Sequence, residues 1–141
     1  MKACCIDEMQ TTNYTGMPWV IFTDPQIAGV GMDERECERK NIPSEVSVLP
    51  IKEIPRYAVA METRGFIKLI RYPENDRLLG ARIVAPEGGE LIMELSIAIK
   101  YGITVSELKN ALHPYLTSSE GIKLAAITFG KDVSKLSCCA V

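Results

Sequence analysis

Residues 65–86 read GFIKLIRYPENDRLLGARIVAP, and this stretch decides the fold. Its two β-rich runs flank the turn residues Pro73, Glu74, Asn75 and Asp76, which predicts an antiparallel hairpin. Upstream, PWVIFTDP carries a short apolar strand, Trp19 to Phe22, stopped by Asp24-Pro25, and IAGVG makes a second. MDERECERKN reads as a helix with Asp33 as N-cap and Glu36 three residues on. SEVSVLPI is strand-like, with Val46 and Val48 alternating against Ser47 and Leu49. IPRYAVAME is expected to be a connector with one irregular turn, and Trp19 is expected in the core.

Downstream the period changes from two to 3.6. GELIMELSIAIKYG sets Leu91, Leu95, Ala98 and Ile99 on one face, and Gly102 closes the helix. TVSELKNAL opens with a second capping box, Thr104 with Glu107. After a break at His113-Pro114, Thr117 and Glu120 make a third box, and a helix with Ile122, Ala125, Ala126 and Phe129 inward stops near Gly130. Strands followed by helices argue an α+β fold, an antiparallel sheet with helices packed on one face.

The bulk numbers fit one such domain. At 141 residues the chain is of a size that buries roughly two-thirds of the surface of its unfolded form. Apolar residues make up 47% and charged residues 24%, and a formal net charge of -2 gives no reason to expect nucleic acid or an anionic membrane as partner. No apolar run is long enough for a bilayer, and MKACCIDEMQ lacks the apolar stretch of a secretion signal. Residues 1–17 are polar and aperiodic, and read as a tail or linker remnant.

Five cysteines occur as two adjacent pairs plus Cys37, which is not the layout of a disulfide framework. A cytoplasmic protein with reduced thiols is the expectation. The chain closes on KLSCCAV. Adjacent cysteines such as Cys138 and Cys139 make poor core residues, and a bond between neighbours closes almost no loop. What they offer is two soft sulfur ligands on an arm, with Lys131 and Lys135 nearby to favour the thiolates. Cys4 and Cys5 repeat the pairing, read first as an unremarkable tail, and Cys37 is read as a buried or half-buried filler. No GxGxxG follows a strand, no CxxC occurs, and one histidine excludes a zinc-type ligand set. Taken alone, the chain does not read as a complete catalyst.

FTDPQIAGVG, TRGFIKLI, LLGARIVAPEGGELI, YGITVSEL and HPYLTSSEG, in that order, resemble the carboxyl-terminal dimerisation domain of the flavin-dependent disulfide reductases. The resemblance covers residues 18–141. It implies a dimerisation domain over 18–134, a flexible dithiol arm over 135–141, and a homodimer. Its thiol-handling members have HAHPT where this chain has HPYLT, the second histidine being the acid–base partner of the active-site thiols. Tyr115 stands in that place, and His113 matches the first, non-catalytic histidine. Imidazole titrates near pH ~6.5 and can shuttle a proton, whereas a phenol near ~10 holds its proton at neutral pH. Tyrosine followed by a helix and a terminal SCCA is similar to the mercuric reductase branch.

In that branch the resemblance implies that Cys138 and Cys139 bind Hg(II), a substrate ion, and hand it to a buried cysteine pair of the opposite subunit. NADPH-derived electrons passing through FAD then reduce it to Hg(0). FAD and NADPH belong to domains absent from this stretch, so the chain alone is expected to bind neither and to be inactive. The resemblance gives Tyr115 and Glu120 as the catalytic positions. Glu120 matches the glutamate that orients the catalytic histidine elsewhere, while its capping box is a complete structural reading. Two rival functions keep the same fold: a stand-alone thiol protein that sequesters metal through both cysteine pairs, and the dimerisation domain of another disulfide reductase such as dihydrolipoyl dehydrogenase.

Overall fold

A computed structural model describes residues 11–14 and 16–130. Five antiparallel strands form one sheet: β1 (Trp19–Ile21), β2 (Gln26–Gly31), β3 (Glu45–Pro50), β4 (Phe66–Arg71) and β5 (Leu78–Ala85), in the order β1-β2-β5-β4-β3. The expected hairpin is β4–β5 at the centre of the sheet. Five helices accompany it: α1 (Glu34–Arg39), α2 (Pro55–Val59), α3 (Gly88–Tyr101), α4 (Val105–Asn110) and α5 (Glu120–Ile127). Among the described residues no helix is long and apolar enough to cross a membrane.

Strand alternation sorts the side chains. Val20, Ala28, Ile83, Ile67 and Leu49 lie in register across all five strands, and the last four are fully buried. α3 packs on β1, β2 and β5 while α5 packs on β3 and β4, so these two helices cover that face. Each buried aliphatic side chain contributes about 1.5–3 kcal/mol, which is why the face must be covered. Ser47 falls on it too. Its hydroxyl donates to the Ala125 carbonyl at 2.9 Å and meets Thr128 Oγ1, so the polar atom is satisfied and the end of α5 is pinned to the edge strand. Arg71, stacked 4.5 Å from the Phe129 ring centroid, holds the same end.

The next row across the sheet is Trp19, Gly29, Arg82, Lys68 and Val48, on the opposite face. Trp19 is therefore 40% exposed and not in the core as expected. Its ring lies over Gly29, where a Cβ would come within 2.3 Å, and the Arg82 guanidinium stands 5.7 Å from it. Register decided this, not hydrophobicity. α1 meets this face through charge: Lys68 Nζ bonds Glu34 Oε1 at 2.7 Å, and Arg82 reaches Asp33 and Glu36 at 3.8 and 3.9 Å.

The capping boxes at Asp33–Glu36 and Thr104–Glu107 are both formed. IPRYAVAME is more ordered than a connector. A 3-10 turn over Ile51–Glu53 leads into α2, which starts at Pro55 and buries Tyr57. Proline at the first helical position has no N–H to lose, and that local signal outweighs the short length.

Asp76 joins the hairpin tip to α4. Its carboxylate accepts from Arg71 Nη1 (2.8 Å) and from the Ser106 amide (2.7 Å), and its carbonyl accepts from the Val105 amide (2.8 Å). The first amides of α4 would otherwise lack partners. Burial pushes the Asp76 carboxyl up, but the Ser106 and Arg71 hydrogen bonds prevail and hold it below the ordinary aspartate range. A depressed folded value stabilises above the unfolded value, and that stabilisation is lost as pH falls through the folded value. We expect Asp76→Asn to lower unfolding free energy by about 1–3 kcal/mol at pH 7. In urea titrations the gap from the unmodified chain should close as pH drops through the acid range.

Candidate functional site

Residues 111–119 connect α4 to α5 and contain the HPYLT stretch. His113 is the anchored member: its side chain is 7% exposed, and Nε2 lies 2.9 Å from Glu94 Oε1 on α3. Pro114 offers no N–H, and its carbonyl accepts from Thr117 Oγ1 at 2.8 Å. Leu116 turns the chain with φ +61, and its amide donates to Glu120 Oε2 at 3.1 Å. Tyr115 sits at the apex with its ring 65% exposed, and Leu112 is 96% exposed. Two carboxylates from different helices thus bracket a corner whose aromatic ring faces outward.

The third capping box differs from expectation. The Glu120 amide approaches Thr117 Oγ1 at 3.4 Å, but the Glu120 carboxylate bonds Leu116 in place of Thr117, and Ser119 occupies the N-cap position. The left-handed backbone at Leu116 accounts for the change by turning that amide toward the carboxylate. Glu120 is committed to the backbone, and the Tyr115 hydroxyl has no hydrogen bond among the described residues.

Two residues of this region escaped the sequence reading. Tyr57, buried on α2, donates to the Pro86 carbonyl at 3.2 Å, and burial, ahead of the nearby Ser118 hydroxyl, pushes its phenol up. Glu94 lies on the flank of α3 next to the face that periodicity picks out. Nothing local pairs it with a histidine nineteen residues away.

α3 also presents an outward stripe. Met93, Ile97 and Tyr101, spaced by four, are 52%, 43% and 70% exposed and lie on one side of the helix. Beside them a groove of about 340 Å³ runs between α3 and α4, lined by Ile97, Ala98, Ile103, Leu108 and Ala111 together with Glu94 and Glu107. Cys37 is fully buried, and burial pushes its thiol up. Among the described residues no group of three or more metal-ligating side chains exists. Cys4, Cys5, Lys131, Lys135, Cys138 and Cys139 lie outside the described residues.

A dinucleotide does not fit the described residues. Its pyrophosphate sits at a strand-to-helix turn between parallel strands, and every strand here is antiparallel to its neighbour. At the β5–α3 junction the Gly89 amide is already taken by Gln26 Oε1 at 2.9 Å, and Glu87 stands at the helix start.

Comparison with known proteins adds the following. The family model described as pyridine nucleotide-disulphide oxidoreductase, dimerisation domain, matches residues 17–126. A mercuric reductase of Shigella flexneri is 50% identical over 128 residues, 91% of this chain and 23% of that protein. One from Bacillus cereus is 45% identical over 131 residues, 93% of this chain and 21% of that protein. Among solved structures, LpdA from Mycobacterium tuberculosis superposes with a TM-score of 0.80 at 26% identity, covering 88% of this chain and 27% of that one. The Cu(II) complex of the HOCl-induced flavoprotein disulfide reductase RclA from Escherichia coli gives 0.78 at 26% identity, covering 83% and 26%. The chain spans about a quarter of the length of these relatives.

The corner makes distinct demands on its two central residues. Tyr115→Phe should leave stability within about 0.5 kcal/mol, since only an exposed hydroxyl is lost. Glu120→Ala should cost about 1–2 kcal/mol by freeing the Leu116 amide. Paired urea titrations read both.

Proposed function

The chain belongs to the family of pyridine nucleotide-disulphide oxidoreductase dimerisation domains, and we propose that it is the dimerisation domain of a mercuric-reductase-like flavoprotein whose terminal pair, Cys138 and Cys139, takes up Hg(II) and relays it to the partner subunit. One observation carries the reading: identity of 45–51% with several mercuric reductases along about nine-tenths of the chain. Solved disulfide reductases of the same fold share 26–28%. The phenol at Tyr115 in place of an imidazole supports the same branch, because an outward ring with no proton-accepting neighbour suits metal transfer better than thiol protonation.

The relay is ligand exchange. Two thiols lose their protons and form two sulfur–mercury bonds as the incoming ligands leave. Each later transfer forms one such bond to an accepting thiolate as another breaks, with no change of oxidation state. Soft thiolate donors select a soft ion, and a reducing compartment such as the cytoplasm keeps them as thiols. FAD and NADPH would supply reduction to Hg(0) on other domains, and these residues carry no part of that step.

Dimerisation falls to the α3 stripe. Met93, Ile97 and Tyr101, with the groove beside them, form an apolar surface that an isologous two-fold contact would bury. The unmodified chain should run as a dimer in size-exclusion chromatography with light scattering, and Ile97→Glu should run as a monomer with its fold intact. A monomeric unmodified chain at high concentration counts against this interface.

Calorimetric titration with mercuric ion tests the relay. We expect a stoichiometry near one ion per chain, lost when Cys138 and Cys139 are both replaced by serine. The second vicinal pair favours one rival: a stoichiometry near two that requires Cys4 and Cys5 identifies a sequestering protein instead.

A further inference from the structure

We infer that Glu94 is a positioning residue for the Tyr115 corner: its carboxylate fixes the His113 imidazole and thereby sets where the Tyr115 ring is presented. The inference rests on the reading of Tyr115 as a site residue, and its geometry is independent of mercury. Leu112 and Tyr115 are exposed and Pro114 has no amide proton, so most of this stretch has little to hold it in place. His113 is the exception, with a side chain only 7% exposed. A buried imidazole nitrogen without a partner is costly, and Glu94 Oε1 at 2.9 Å supplies that partner.

The two carboxylates around Tyr115 act over different ranges. Glu120 bonds the Leu116 amide four residues away, which shapes the turn but leaves the turn free to move as a unit. Glu94 lies nineteen residues from His113, on a helix seated against the sheet by Leu91 and Leu95, so its bond ties the turn to the rigid part of the fold. The hydrogen bond of Glu94 is to His113, and its effect on Tyr115 passes through that residue. Glu94 also lies between Met93 and Ile97, beside the apolar stripe of α3. The carboxylate therefore stands between the proposed dimer seam and the aromatic corner.

Amide hydrogen exchange on the 141-residue chain tests this. In Glu94→Ala, exchange of the Leu116 amide, the hydrogen-bonded amide of residues 112–117, should rise about tenfold while β4 and β5 stay within about twofold of the unmodified chain. Glu94→Gln keeps an oxygen that accepts from Nε2–H and should recover most of the protection. His113→Ala should reproduce the Glu94→Ala pattern, and the double substitution should add nothing further. Unchanged exchange of the Leu116 amide in Glu94→Ala overturns the inference. So does an equal rise in the corner and the sheet, which marks general destabilisation, or a His113→Ala pattern unlike that of Glu94→Ala. Exchange needs no mercury and the cysteine titration needs no Glu94 variant, so failure of one leaves the other standing.

Discussion

The alternation of Ile67, Leu69, Ala81 and Ile83 along the central hairpin is the constraint from which the rest of the molecule follows. It makes one face of the sheet apolar from edge to edge, and an apolar face of that breadth must be covered. α3 and α5 do so, each lying over different strands. Once they are placed, the segment between α4 and α5 has little freedom. α4 is fastened at its start to the hairpin tip by Asp76, and α5 is fastened at its end to β3 by Ser47. The connection between them has to pass the flank of α3, and Glu94 meets His113 there. The exposed tyrosine is thus located by core packing several layers away.

What could be read from the residues was local. The hairpin turn, two of three capping boxes, the buried face of α3 and the stop at Gly102 each depend on residues within a few positions of one another. What could not be read was set by register or by distant contacts. Trp19 has the composition of a core residue, but its place opposite Gly29 and beside Arg82 follows from how β1 pairs with β2. The third capping box was disturbed by the backbone at Leu116, whose left-handed turn has no glycine to announce it. Tyr57 and Glu94 reach the corner from helices far away in the chain. Tyr115 was found only through resemblance, whereas Glu120 stood out by its spacing from Thr117 as a capping residue and took a site role only through resemblance.

The described residues also divide the labour of the proposed relay. Their acidic groups near the corner are committed: Glu94 to an imidazole and Glu120 to an amide. An exposed phenol on a braced turn provides shape and a polar edge, and in the proposed relay the thiols have already lost their protons at capture.

The contact of α1 with the sheet has a consequence for the unpaired cysteine, Cys37, which stands apart from the two adjacent pairs. Lys68 with Glu34, and Arg82 with Asp33 and Glu36, dock the helix that carries Cys37, and these pairs are only partly shielded from solvent. Their attraction weakens as dissolved ions screen it, whereas the aliphatic packing under α3 and α5 does not depend on such screening. Ionic strength therefore acts as a selective lever on the attachment of α1. The side of the molecule that carries Cys37 is accordingly the part whose attachment to the sheet responds most to salt.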